Sequence, residues 1–318
     1  MAYGVFKTAT IKGEKGTDWL IHIHKKNYSG SSSELNLFGE GFEIKWSGEG
    51  GTRNRQYLTS ECVLKTFIES DPDESFLYDI FTKGDKEYFI RIYKGVTSAD
   101  SDYIWWYGWV QPSFDKFSNE PYPYTANIIA TDSIGVFKER ADDVLNSATW
   151  NKAYRINNHI ADFGTTMALF DHSGSDLAPI PQNVKWFKTS VDWFRNGDTY
   201  QANDPFYSYY TTRAAYRKDV ENKPLNYKKY DVLTGALKTF NTVGFLSDGA
   251  YYFIQPNNKV ATSGNVRIYP YIGTDNEVPS GASIGDESTL LAIDQSTNVI
   301  LGGSTITFDP VLKSVSCD

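Results

Sequence analysis

Cysteine is almost missing from this chain: 318 residues hold only Cys62 and Cys317, at opposite ends of the sequence. Two thiols cannot make a disulfide framework, nor by themselves a four-ligand zinc site, so the fold must stand on packing. Basic residues are outnumbered by acidic ones, 31 to 39, and no run of Lys or Arg gathers into a stripe. The formal net charge of −8 therefore speaks against a direct nucleic-acid partner, which would need phosphates neutralised. No stretch approaches the roughly 20 apolar residues of a membrane helix. The opening MAYGVFKTATIKGEKG has no apolar core of a signal peptide, so a soluble chain made in a cytoplasm is expected, with export or incorporation into an assembly left open. No period of about 20 to 50 residues repeats, which excludes solenoids and propellers.

Aromatic residues, in contrast, are abundant: 22 Tyr, 19 Phe and 8 Trp make up 15% of the chain. Such side chains suit a pleated, half-buried surface, and the expectation is an α+β, mostly β protein of two or three units. Thr17 to Lys25 alternates Trp19, Ile21 and Ile23 against Leu20, His22 and His24, the pattern of a strand. Phe42 to Trp46 reads as another, and a Gly-rich turn leads to a strand carrying Cys62, Leu64 and Phe67. Phe76, Leu77, Ile80 and Phe81 share a helical face within Asp71 to Phe81. The runs EYFIRIYKG and YIWWYGWV predict a long hairpin, and YTANIIATDS a further strand after a proline-containing loop.

Residues 1–140 are thus read as a β domain, and 141–229 as a helix-containing insertion. Within the insertion, Ile156, Ile160, Phe163 and Met167 are spaced for a helix with Gly164 as C-cap. Residues 230–256 predict a helix bearing Leu233, Ala236, Leu237 and Phe240, with Asp231 available as N-cap, then a hairpin turning at Ser247-Asp248-Gly249. From 257 to 318 the chain is rich in Gly, Ser, Thr and Asn, and STLLAID, NVILGG and STITFD read as short strands of a small C-terminal β segment.

Chemistry-bearing motifs are incomplete. His22 and His24 fall on one strand face, about 6 to 7 Å apart, but no third ligand stands at a recognisable spacing, so they are read as a polar strand face. His159, Asp162, Asp171 and His172 gather near the middle helix without a nucleophile elbow or a flanking cysteine, and a surface pairing accounts for them. DPDES lacks the Gly and the closing Glu of a calcium loop, and GEGG lacks the Lys of a phosphate loop; both are read as turns. No catalytic, metal or cofactor-binding residue is assigned. Trp105, Trp106 and Trp109 place aromatic rings on both faces of one strand. Two-sided burial or an intersubunit interface explains this better than a single ligand face.

In order along the chain, SECVLKTFIESD, EYFIRIYKG, WWYGWVQP, PYPYTANIIATDSIGVFK and YDVLTGALKTFNTVGFLSDGAYYFIQ resemble landmarks of tail hub proteins of phages and prophages of Bacteroidetes-type hosts. The resemblance spans roughly residues 1 to 255, with Ser133 where the family has Gly in its A-T-D-G motif. A positive φ there would favour glycine. It implies β-sandwich or barrel-like hub domains in a virion protein that is assembled in the host cytoplasm. The copies would form a ring, a trimer with a hexamer as the alternative, between the tail tube and distal fibre, spike or lytic components. Trp105, Trp106, Trp109, Tyr122, Tyr124, Asp132 and Gly135 are the candidate core and assembly residues, with the ATDSIG segment a hinge into the insertion. No active site is carried over. The reading from another class is a glycan-binding or glycan-degrading tail surface protein.

Overall fold

Alternation along the chain becomes strands wherever one face can be buried. In the strand Tyr57–Ile68, Ser60, Cys62, Leu64, Thr66 and Ile68 turn inward while their neighbours stay half-exposed. The computed structural model describes residues 3–12, 18–48, 56–84, 86–95, 104–112, 121–139, 153–167, 187–191, 205–216, 219–220, 223–224, 229–255, 265–269 and 283–286. Over these the chain is α+β and mostly β. The first part comprises β1 (Tyr3–Lys12), β2 (Asp18–Lys26), β3 (Ser33–Glu34), β4 (Leu37–Ser47), β5 (Tyr57–Ile68), helix α1 (Asp71–Thr82), β6 (Tyr88–Lys94), β7 (Ile104–Val110) and β8 (Tyr124–Thr131).

These strands close on themselves. The ladder runs β5-β8-β7-β6-β2-β1, and β1 then takes β3 as a parallel partner. Past β3 the chain crosses the remaining gap: the Leu35 N–H donates to the Thr8 carbonyl (2.8 Å), and the Phe67 N–H of β5 to the Asn36 carbonyl (2.9 Å). From there β4 continues along β5. The result is a barrel closed at this seam, in which β4 pairs with β5 alone among the described strands. Register places Ile21 opposite Ile92, Ile92 opposite Trp106, Val110 opposite Ala130, and Ala130 opposite Cys62, so all of these point into the barrel. Helix α1, between β5 and β6, closes one end with Phe76, Leu77 and Ile80. Its first turn is Asp71, Pro72, Asp73 and Glu74, so DPDES is a helix start rather than a turn. Lys7, buried on the inward face of β1, reaches Asp73 at 3.3 Å.

The chain continues as helix α2 (Ser133–Glu139), β9 (Ala153–Arg155), helix α3 (Ile156–Thr166), β10 (Phe187–Ser190), helix α4 (Pro205–Ser208), β11 (Tyr210–Thr212), β12 (Asp219–Val220), β13 (Lys223–Pro224), helix α5 (Lys229–Thr239), β14 (Val243–Ser247), β15 (Ala250–Ile254), β16 (Asn265–Tyr269) and β17 (Ser283–Asp286). Segment 141–229 supplies α3 and α4, and it also sends β10 into the sheet between β15 and β16. The β14-β15 hairpin turns on Asp248 and Gly249, both at positive φ (45° and 69°), the two-residue turn that an Asp-Gly pair predicts. Two cap assignments change. Gly164 lies inside α3, which runs on to Thr166, and Asp231 lies in the first turn of α5 rather than ahead of it. The runs STLLAID, NVILGG and STITFD lie outside the described residues. Among the described residues no helix is long and apolar enough to cross a membrane.

Strand β7 is buried on both sides by this one chain. Trp106 points into the barrel, while Tyr107 and Trp109 face outward and are nonetheless fully covered. The ring of Tyr251 on β15 packs edge-on against Tyr107 at 5.9 Å, and Tyr3 does the same to Trp109 at 5.8 Å. Two-sided burial thus needs no neighbouring subunit here.

Candidate functional site

Helix α2 begins where β8 ends, and the join is a buried carboxylate. Asp132 has no exposed surface. Its Oδ2 accepts from both the backbone N–H and the hydroxyl of Ser60, each at 2.7 Å, and its Oδ1 accepts from the Gly135 N–H at 3.1 Å. That last bond makes Asp132 the N-cap of α2, so the ATDSIG segment is a capped helix start rather than a free hinge. Ser133 is not at positive φ, so the serine in place of glycine leaves this geometry unstrained. The Ser60 hydroxyl also accepts from the Trp106 indole N–H at 2.9 Å, and the Ser133 N–H donates to the Tyr251 hydroxyl at 3.0 Å. Burial pushes the Asp132 carboxyl up to about 6, against the pull of its hydrogen bonds from Ser60, Gly135 and Ile134. One node therefore ties β5, β7, β8, α2 and β15 together.

The node gathers Trp106, Asp132 and Gly135 and leaves the other candidates elsewhere. Trp105 is half-buried in a ring cluster, its centroid 4.9 Å from that of Trp19 and 6.4 Å from those of Phe42 and Trp46. Trp109 stacks edge-on with Phe89 at 4.7 Å. Tyr122 and Tyr124 stack on each other at 5.9 Å, and both hydroxyls bond Glu74 at the start of α1. They fasten β8 to the helix that closes the barrel. Ser60 and Tyr251, which complete the node, stood in the quoted segments without any local pattern to single them out.

His22 and His24 do share a face, with ring centroids 5.9 Å apart, but it is a buried one. Arg91 stands opposite His22 on β6, and Tyr93 packs on the His22 ring at 5.2 Å. Burial first, and then the Arg91 charge, lower His22 to about 4 and hold His24 well below the usual histidine range. Both are neutral imidazoles near pH 7. Among the described residues no three His, Cys, Asp or Glu side chains come together as metal ligands. His159 is buried beside Tyr154, at 6.0 Å between rings. Asp171, His172 and the side chain of Asp162 lie outside the described residues. Burial also raises the Cys62 thiol far above its usual range, leaving it an inert core residue.

An open cleft of about 610 Å³ lies against the outer side of the node. Its barrel wall carries Ser47, Gln56, Tyr57, Thr59, Gln111 and Thr131, and its helical wall carries Gly135, Val136 and Lys138 of α2 with Tyr230, Thr234 and Lys238 of α5. The described lining thus holds two lysines and no carboxylate, in a chain whose net charge is −8. Comparison with protein-family models, curated proteins and solved structures finds no match to this chain.

Proposed function

We propose that this chain is an architectural protein of a phage tail, a hub or baseplate component whose copies form a ring between the tail tube and distal fibre, spike or lytic parts. One observation carries the reading. Ser60, Trp106 and Asp132, from three separate segments of the resemblance, meet in a single buried hydrogen-bonded node. Groups shut away from solvent in this way hold strands and a helix in register and meet no substrate. No catalytic step or cofactor belongs to this reading.

Because β7 is covered by its own chain, an intersubunit surface must lie elsewhere. Strand β4 offers two separate positions: it exposes Phe38 (53%) beside Phe67 near one end and Trp46 (45%) opposite Ser60 near the other, and in this reading a neighbouring subunit would cover Trp46. The copy number follows the resemblance, three with six as the alternative. The test is an image of the intact particle with this chain located in it. Density for the chain in a ring on the tail axis supports the hub, and its absence from purified particles removes the assignment.

A further inference from the structure

Of the residues in the hydrogen-bonded node, Gly135 alone lines the cleft between the barrel and helices α2 and α5. We propose that it binds an acidic sugar, a carboxylate-bearing unit of a larger glycan, an inference that does not rest on the hub assignment. Its volume of about 610 Å³ is far more than one small anion fills, and lies within the roughly 300 to 1,000 Å³ of ligand sites.

The lining chemistry selects the ligand class. Thr131 offers a hydroxyl and Gln56 an amide, groups that both donate and accept. The Thr59 and Thr234 hydroxyls and the Gln111 amide, which donate to the carbonyls of Ser47, Tyr230 and Trp109, keep an acceptor oxygen for sugar hydroxyls. The half-buried ring of Tyr230, backed at 5.3 Å by the buried ring of Tyr57, adds aromatic surface suited to the C–H face of a pyranose. Val136 is the lone aliphatic lining residue described, which leaves a peptide no set of apolar pockets to fill. Lys138 and Lys238 bring positive charge from two different helices, and Lys238 makes no ion pair among the described residues. A carboxylate would answer that charge. The wall is also pre-shaped: Thr131 and Gly135 flank Asp132, whose buried hydrogen bonds fix them before any ligand arrives.

Calorimetric titration of the full chain with a glucuronate-containing disaccharide, a neutral disaccharide of the same size and inorganic phosphate tests this. The expected result is saturable binding of the acidic disaccharide, with the neutral one and phosphate each weaker by roughly tenfold or more. Lys238→Met, at an exposed position, should weaken the acidic sugar by about tenfold and leave the neutral one unchanged, with thermal unfolding confirming an intact fold. Affinity of the unmodified chain for the acidic sugar should also fall as salt is raised. Equal binding of acidic and neutral sugars, phosphate binding as tight as the sugar, or no saturable binding of any of the three overturns the proposal.

Discussion

Asp132 is a carboxylate taken out of water with hydrogen-bond donors, rather than a cation, to receive it. Removing a partner from such a group leaves a buried acceptor exposed to its full desolvation cost, about 1 to 3 kcal/mol. Ser60→Ala should therefore destabilise the chain by that amount in urea unfolding, and a change near zero would mean the node carries no weight. Trp106→Ala removes both the indole donor and a core ring, for which about 3 to 5 kcal/mol is expected. If it stays as stable as the parent and loses only glycan binding, the core role is wrong. The pH dependence has two opposed parts. His22 is lowered to about 4 from 6.5, so the unfolded chain takes up its proton first and acid removes stability as pH falls from 6.5 towards 4. Asp132 is raised to about 6 from 3.8, so the folded chain takes up that proton first and acid adds stability over that span. Accordingly, His22→Gln should flatten the acid-side loss and Asp132→Asn should steepen it, as read from urea midpoints between pH 4 and 7. Unchanged midpoint profiles in both variants would contradict the burial argument.

At the scale of elements, local periodicity carried β2, part of β4, β5 to β8, α1, the β14-β15 hairpin and its Asp248-Gly249 turn, because each depends on residues within a few positions of one another, whereas β1 and β10 went unread. The barrel seam was illegible for the opposite reason. It is made by Leu35 with Thr8 and by Phe67 with Asn36, backbone pairs whose side chains advertise nothing. The Ser60 to Asp132 bonds span 72 residues, and β10 joins β15 in parallel from 64 residues away, so neither leaves a periodic trace. The burial of His22 and His24 was hidden too, since polar imidazoles alternating with Ile21 and Ile23 read as a solvated face, and only the tertiary fold shows that face covered. If the seam is closed, the Leu35 and Phe67 amides should exchange hydrogen as slowly as Ile90 in the middle of β6, and exchange at the rate of an open loop would show an unclosed sheet. The hairpin tip presses on β7: a Cβ on Gly249 would sit 2.1 Å from the Ile104 carbonyl oxygen, at a φ of 69° that side chains disfavour. Gly249→Val should lower stability by well over the roughly 0.5 kcal/mol of an ordinary surface change, and a neutral result in thermal unfolding would argue against that contact.

For the molecule as a whole, the single chain already closes its barrel and buries both faces of β7, so the proposed self-association would have to use surface that the fold leaves open. Trp46, 45% exposed near the C-terminal end of β4, marks such surface. The central claim is that this surface joins copies into a ring on the tail axis. Native mass measurement of the purified chain, alone and with tail-tube protein, tests it most directly. A discrete closed oligomer, three copies or else six, is the predicted result, lost in Trp46→Glu while the monomer stays folded; a strict monomer under both conditions would contradict the account.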